Sequence, residues 1–151
     1  MNKYEQLACK YFTEGYNCAQ AVFASFADKM GISTEDALRR SSAFGGGMGR
    51  LREVCGAVSG MAMVLSELYG YTDAKDDKAK KELYSYIQEV SQKFKEEYHT
   101  IICRELMGIG VQKPDPTPTP RSKEFYEKRP CLAFVASAAR ILADFLESKG
   151  M

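Results

Sequence analysis

The chain has 151 residues, a length that suits one domain over residues 1–151, and its composition of 45% hydrophobic and 27% charged residues is that of an ordinary globular protein. Lys and Arg together number 21 and Asp and Glu number 20, so a net charge of +1 argues against a nucleic-acid partner, which usually requires a clear basic excess. The segment 1–6 has no apolar signal core and no apolar run approaches the ~20 residues of a membrane span, so we expect a cytoplasmic protein with no membrane partner.

The first half of the sequence has helical periodicity. A first helix is expected to end at Gly15, and Asn17 is suited to cap a second helix over residues 18–30. A short third helix is predicted over about residues 34–43, with acidic residues in its first turn. The glycine-rich run 45–49 then predicts a flexible break in the chain.

The second half also has helical patterns, which one long loop interrupts. A strongly apolar helix is predicted over about residues 53–69, followed by a long charged helix over 73–98 and a short one over 100–107. Four prolines between residues 110 and 122 predict an extended surface loop, and a last helix is expected over 130–148. No alternating strand pattern is present. We therefore predict an all-α, single-domain, irregular bundle of about five to six helices.

Four of the five cysteines are predicted in the first turn of a helix: Cys18, Cys55, Cys103 and Cys131. A helix N-terminus offers unpaired N–H groups and about half a positive charge, and both favour the thiolate and lower the pKa of a thiol. Four arginines lie near three of these cysteines in sequence and would add to the effect: Arg50, Arg52, Arg104 and Arg129. The fifth cysteine, Cys9, lies in the middle of the first helix and is interpreted as a structural residue.

The number and spacing of the cysteines restrict the chemistry. In a reducing compartment, five cysteines favour metal binding or redox chemistry over a disulfide framework. No two of the four form a C-x-x-C pair, which argues against a thioredoxin-type motif and an ordinary zinc ribbon. A site assembled in space from four helix ends stays compatible with the sequence, and so does the alternative that the thiols are inert, buried apolar residues.

The segments around these cysteines resemble a known family. Cys55-Gly56-Ala57-x-x-Gly60 is the central motif, the segment 16–20 (YNCAQ) lies upstream, and the segment 103–108 and Cys131 lie downstream. Together they resemble the C_GCAxxG_C_C family of redox-active proteins over about residues 10–145, although the family label has glycine before cysteine where this chain has Cys55 before Gly56. The resemblance implies that the family's four cysteines correspond to Cys18, Cys55, Cys103 and Cys131. Related cysteine domains in some electron-transfer haem proteins add an iron–sulfur cluster to the implied cofactors.

Two glycines and one histidine are further candidates for a site. Gly56 and Gly60 lie one turn apart on the apolar helix and leave a groove, against which another helix would pack or, alternatively, a cofactor would bind. His99, the single histidine, is interpreted as a surface turn residue rather than a base or a ligand. The glycine run 45–49 follows a helix and lacks a Gly-Lys-Ser/Thr sequence, so nucleotide binding is not expected.

Three functions are compatible with these residues. In the first, the four cysteines are catalytic and cycle between dithiol and disulfide with an unknown redox partner. In the second, the same four cysteines are ligands of an iron–sulfur cluster or of zinc in an electron-transfer or metal-binding module. The third is a helical interaction protein with inert buried cysteines. We favour the first, and the sequence is also compatible with a homodimer.

Overall fold

The computed structural model describes residues 1–151 and contains nine α-helices, one short 3-10 helix and no β-strand. The α-helices are α1 (Lys3–Thr13), α2 (Cys18–Ser25), α3 (Ala27–Met30), α4 (Thr34–Ser41), α5 (Gly56–Tyr69), α6 (Asp77–Tyr98), α7 (Cys103–Leu106), α8 (Lys123–Lys128) and α9 (Cys131–Ser148), and the 3-10 helix covers Ser42–Phe44. None of the α-helices combines the length and the apolar character needed to cross a membrane. The prediction of an all-α fold is confirmed, whereas the predicted number of five to six helices is wrong.

Short helices account for this difference in number. The stretch 18–30 is divided at Phe26, whose φ of −104° and ψ of 16° lie outside the α-helical region, so that α2 and α3 are separate helices. Helix α8 is an additional element between the proline-rich loop and α9, and the Ser122 side chain caps it by accepting a hydrogen bond from the Phe125 N–H. Helices of a few residues are unstable in isolation, so these elements depend on tertiary contacts that a local pattern does not reveal.

Helix α2 lies at the centre of the fold and packs against α1, α4, α5 and α9. Six of its eight residues are buried, because it is composed mainly of alanine, valine and phenylalanine. Five phenylalanines with almost no exposed surface belong to the core: Phe12, Phe23, Phe26, Phe94 and Phe145. Burial of each such side chain stabilises the fold by about 1.5–3 kcal/mol. The core thereby fixes the position of α2, which begins at Cys18.

Helix α5 approaches α2 closely at two glycines. A Cβ atom at Gly60 would lie 2.9 Å from the Cβ of Val22 and 3.1 Å from the Ala19 carbonyl oxygen, and a Cβ atom at Gly56 would lie 3.0 Å from the Ala19 nitrogen. Carbon atoms in a packed interior are normally about 3.5–4.0 Å apart, so a side chain at either position would push the two helices away from each other. The two glycines therefore bring Cys55, at the start of α5, close to Cys18, at the start of α2.

Candidate functional site

Four helices begin at one place in the molecule, and each brings one cysteine to it. Cys18, Cys103 and Cys131 are the first residues of α2, α7 and α9, and Cys55 is the N-cap residue of α5. All four residues line a single cavity of about 510 Å³. The sequence predicts a cysteine at each helix start, and the structure adds that the four thiols share one cavity.

The position of Cys18 is fixed by the cap of α2. The Asn17 side chain accepts a hydrogen bond of 2.9 Å from the Gln20 N–H, and the Gln20 side chain accepts one of 3.1 Å from the Asn17 N–H. This reciprocal arrangement satisfies two backbone donors that a helix N-terminus otherwise leaves unpaired. The Asn17 amide also donates to the Ser42 carbonyl oxygen at 3.1 Å, which ties the start of α2 to the 3-10 helix.

Cys55 and Cys103 are brought together by a short antiparallel bridge between Val54 and Ile102. The Cys55 N–H donates to the Ile101 carbonyl oxygen at 2.8 Å, and the Cys103 N–H donates to the Glu53 carbonyl oxygen at 2.6 Å. These bonds join two segments almost fifty positions apart in sequence. The starts of α5 and α7 therefore form one unit, and the two thiols in it are held near each other.

The glycine run predicted as a flexible break is a hydrogen-bonded, left-handed turn. Residues 46–50 all have positive φ values, between 53° and 72°, and Arg52 has a φ of 61°. Glycine adopts this conformation without strain, and three of the five residues in the turn are glycines. The Arg52 and Glu53 N–H groups donate to the Gly46 and Gly47 carbonyl oxygens at 3.0 and 2.9 Å, and these bonds order the segment that leads into α5.

Positive charge surrounds the four thiols. Four arginines line the cavity, and no aspartate or glutamate does: Arg50, Arg52, Arg121 and Arg129. Arg104, which lies next to Cys103 in sequence, instead pairs with the Glu53 carboxylate at 3.0 Å and does not line the cavity. Three of the four arginines predicted near the cysteines therefore line the cavity. Arg104 does not, and Arg121 is an additional cation.

Two of these arginines are tied to the proline-rich loop. The Arg50 Nε donates to the Asp115 carbonyl oxygen at 3.0 Å, and its Nη1 donates to the Thr119 hydroxyl at 3.0 Å. The Arg129 Nη2 donates to the same hydroxyl at 3.3 Å. The loop therefore folds back over the left-handed turn, and Pro116, like Thr119, forms part of the cavity wall.

The other two arginines face different partners. Arg121 donates to the carbonyl oxygens of Phe12 and Tyr16 at 3.0 and 2.9 Å, which fixes its guanidinium group as a structural charge. The Arg52 Nη1 lies 3.9 Å from the Cys103 sulfur. Neutral sulfur is a weak acceptor, so this arginine has donor capacity that the protein does not use fully.

Cys131 is the one thiol of the site whose pKa is lowered. Interaction with the neighbouring Cys18 thiol, assisted by the charges of Arg129 and Arg52 and opposed by burial, brings the pKa of Cys131 to about 7. The same interaction, together with burial and the electrostatic effect of the other cysteines, raises the pKa of Cys18 well above its ordinary value. About half of the Cys131 side chains are therefore thiolates at pH 7, whereas Cys18 keeps its proton.

The two remaining thiols have raised pKa values because they are buried. Burial raises the pKa of Cys55 to about 12, although the Ala57 and Val58 N–H groups at the start of α5 act to lower it. Burial likewise raises the pKa of Cys103 above its ordinary value, against the lowering effect of Arg52. The expectation that each helix N-terminus lowers the pKa of its cysteine is thus wrong for Cys18, Cys55 and Cys103. Removing a thiolate from water at these buried positions costs more than the helix N-terminus offsets.

The four thiols match the ligands of an iron–sulfur cluster better than those of a zinc ion. No three His, Cys, Asp or Glu side chains are placed to hold a single metal ion, as a zinc site requires. An iron–sulfur cluster is larger and is ligated by four cysteines in total, which matches the number of thiols on the cavity wall. The donor set therefore fits a cluster in number and type of ligand, and it does not fit one zinc ion.

The other predicted residues occupy different places. Gly56 lines the cavity, whereas Gly60 lies one turn further along α5, against Val22, and does not. His99 is exposed and ends α6 with a φ of 72°, as expected of a surface turn residue. Cys9 lies in α1, partly buried and away from the cavity.

Several cavity residues were not predicted from the sequence. These are Arg121, Phe125, Phe134 and the loop residues Pro116, Pro118 and Thr119. The four prolines indicate an extended loop, but nothing in the loop indicates which surface it covers. The one available signal is that Arg121 directly follows the last of these prolines.

Comparison with known proteins agrees with this arrangement. A family model described as "Putative redox-active protein (C_GCAxxG_C_C)" matches residues 16–145, a range that contains all four cysteines of the cavity and excludes Cys9. Searches of curated proteins and of solved structures give no match.

Proposed function

This chain belongs to the C_GCAxxG_C_C family of redox-active proteins, and from that membership we propose that it carries out reversible thiol–disulfide exchange with Cys131 as the attacking thiolate and Cys18 as its partner. The observation that carries the proposal is the Cys18–Cys131 pair. One member, Cys131, has a pKa of about 7 and lies beside the Cys18 thiol, whose pKa is raised, inside a cavity large enough for a small molecule.

The proposed exchange proceeds in two steps. The Cys131 thiolate attacks one sulfur of an oxidised partner disulfide, forms a mixed disulfide and releases the other partner sulfur as a thiolate. Cys18 then loses its proton to a departing thiolate and attacks the Cys131 sulfur, which releases the second partner thiol and leaves a Cys18–Cys131 disulfide. Two electrons pass from the protein dithiol to the partner, whose disulfide becomes two thiols. The reverse sequence restores the dithiol at the expense of an oxidisable partner.

The remaining two thiols suit a supporting role. The pKa of Cys55 is about 12 and that of Cys103 is raised by burial, so both are protonated at neutral pH and are poor nucleophiles. Their segments are joined by the Val54–Ile102 bridge, which keeps them at the same cavity wall. We propose that they form a second dithiol that exchanges with the first.

Oxidation of the reduced protein tests this pairing. Under a mild disulfide oxidant, we expect a mass loss of two hydrogens per chain and a cross-linked peptide pair that contains Cys18 and Cys131. The measurement is mass spectrometry of a non-reduced digest, before and after treatment with a reductant. Cys9→Ser is the control and should give the same product, because Cys9 lies outside the cavity. Thiols that all stay reduced would contradict the proposal.

An iron–sulfur protein is the second candidate, favoured by the fact that four cysteines from four helix starts line one cavity. Such a cluster would supply one-electron transfer, with Cys18, Cys55, Cys103 and Cys131 as its ligands. Metal analysis of protein prepared without air distinguishes thiol–disulfide exchange from the iron–sulfur function. Stoichiometric iron that is lost in Cys103→Ala supports the cluster, and metal-free protein that forms the Cys18–Cys131 disulfide supports thiol exchange.

A further inference from the structure

The eight arginines of the chain fall into two groups of equal size. Four have a carboxylate partner within 4 Å and do not line the cavity: Arg39, Arg40, Arg104 and Arg140. The other four line the cavity and have no carboxylate at that distance: Arg50, Arg52, Arg121 and Arg129. All the arginines that lack a carboxylate within 4 Å therefore line one cavity, and that cavity contains the four thiols.

These cavity cations are unfavourably close to one another. Burial lowers the pKa of Arg50, and repulsion by Arg52 and Arg129 lowers it further, although the Asp115 carboxylate partly offsets this effect. Two of the residues, Arg50 and Arg52, also adopt positive φ values of 65° and 61°, a conformation that costs energy in any residue with a side chain. A bound anion would stabilise a protein with such a cluster, because its negative charge offsets the repulsion among the arginines.

The available donors point to carboxylates as the recognised groups. Arg50 and Arg129 converge on the Thr119 hydroxyl from two sides, and Arg52 faces only the sulfurs of Cys103 and Met107, at 3.9 and 3.6 Å. Guanidinium groups with free donors form paired hydrogen bonds with carboxylates. Arg121 adds fixed charge, since its donors are used by backbone carbonyl oxygens.

The size and depth of the cavity restrict the partner to a small molecule. A volume of about 510 Å³ is in the range of ligand pockets and is far below that of a protein segment with its flanking structure. Cys131 is only 8% exposed, and Cys55 and Cys103 are 4% and 7% exposed. A disulfide on the surface of a folded protein cannot reach these sulfurs without a large change in the loop over them.

We propose that the oxidised partner of this site is a low-molecular-weight disulfide that carries carboxylate groups, bound through Arg50, Arg52 and Arg129. The inference rests on the proposed thiol–disulfide exchange and adds its substrate class. Cys131 attacks one sulfur of the bound disulfide, and Cys18 completes the reaction. The two products are carboxylate-bearing thiols, which carry the two electrons that the protein loses when its Cys18 and Cys131 thiols become a disulfide.

A panel of disulfides with different charges tests the substrate class. Reduced protein is mixed with 3,3′-dithiodipropionate, which is a dianion, with 2-hydroxyethyl disulfide, which is neutral, and with cystamine, which is a dication. The second-order rate constant of oxidation is measured for each by quenching and mass spectrometry. We expect the dianion to react at least about tenfold faster than the neutral disulfide and the dication to be slowest, with a preference that decreases as salt increases.

Arg50→Gln provides the variant and Arg40→Gln the matched control. Both remove one positive charge, but Arg40 lies outside the cavity and pairs with Glu67. We expect the ratio of the dianion rate to the neutral rate to decrease by about tenfold in Arg50→Gln and to stay unchanged in Arg40→Gln. The ratio is informative because a change in thiolate reactivity affects both rates equally.

Each outcome separates the inference from the proposed function. Equal rates for the dianionic and neutral disulfides overturn the inference and leave thiol exchange intact, and so does an equal loss of preference in both variants. No oxidation by any disulfide overturns the proposed function and the inference with it. Calorimetry with 3,3′-thiodipropionate, a dicarboxylate without a disulfide, tests the anion site alone: binding that is about tenfold weaker in Arg50→Gln supports it, and no binding overturns it.

Discussion

Replacing Cys131 with serine is expected to abolish the rapid labelling of the protein by iodoacetamide at pH 7. With a pKa of about 7, about half of the Cys131 side chains are thiolates at that pH. Cys55, with a pKa of about 12, is a thiolate in only about one molecule in 10⁵, and the other cavity thiols also have raised pKa values. One residue therefore accounts for nearly all of the thiolate in the site.

The pH dependence of this labelling follows from the same pKa. The reactive form is the deprotonated one, so the rate in the unmodified protein should increase as pH rises through about 7 and then level off. Between pH 7 and pH 5 the rate should fall by about fifty-fold, since the thiolate fraction falls by that factor. Cys18→Ala should move the midpoint to higher pH, because interaction with the Cys18 thiol is the largest cause of the lowered pKa of Cys131.

Cys9→Ser serves as the control for both experiments. Cys9 lies in α1, away from the cavity, and burial raises its pKa. Its removal should leave the rapid phase and its midpoint unchanged. A rapid phase that persists in Cys131→Ser, or that shows no midpoint between pH 6 and pH 8, would assign the reactive thiolate to another residue.

Gly47→Ala is expected to destabilise the protein by about 3 kcal/mol. Gly47 has a φ of 72°, which costs about 1–2 kcal/mol in a residue with a Cβ atom. The added Cβ would also lie 2.6 Å from the Glu53 nitrogen and 2.7 Å from the Arg52 Cα. These are backbone atoms, so neither a rotamer change nor a small shift relieves the contact, and overpacking of this kind costs about 1–3 kcal/mol more.

The Gly47→Ala substitution should also change the geometry around the four thiols. The Gly47 carbonyl oxygen accepts the Glu53 N–H at 2.9 Å, and the Glu53 carbonyl oxygen in turn accepts the Cys103 N–H at 2.6 Å. A displaced turn therefore moves the start of α7 and, through Arg52, the charge beside Cys103. Urea unfolding followed by circular dichroism measures the loss of stability, and the pH midpoint of Cys131 labelling measures the change in the site.

Gly49→Ala is the matched control for this change. Gly49 also has a positive φ, 53°, but the nearest atom to an added Cβ is the Ala43 carbonyl oxygen at 3.8 Å. The Gly49→Ala variant should therefore lose only about 1–2 kcal/mol of folding stability, which is the cost of the left-handed conformation. Equal destabilisation by the two substitutions would show that the close contact at Gly47 contributes nothing.

The sequence by itself determined those features whose causes lie within one or two helical turns. The cap at Asn17, the apolar stripe of α5 and the end of α1 near Gly15 depend on neighbouring residues, so the fold class and a cysteine at each of four helix starts were predictable. The family match over residues 16–145 has the same origin, because the spacing of the cysteines is itself a sequence property.

Tertiary structure decided what the four cysteines do together. The Val54–Ile102 bridge joins distant segments, and the proline-rich loop brings Thr119 back to Arg50. Neither contact has a local signal. The pKa of each thiol depends on a local effect, that of the helix N-terminus, and on a non-local one, which is burial by segments that are distant in sequence. Burial prevails at Cys55, whereas the neighbouring Cys18 thiol and the nearby arginines prevail at Cys131, and only the folded arrangement fixes which effect is larger.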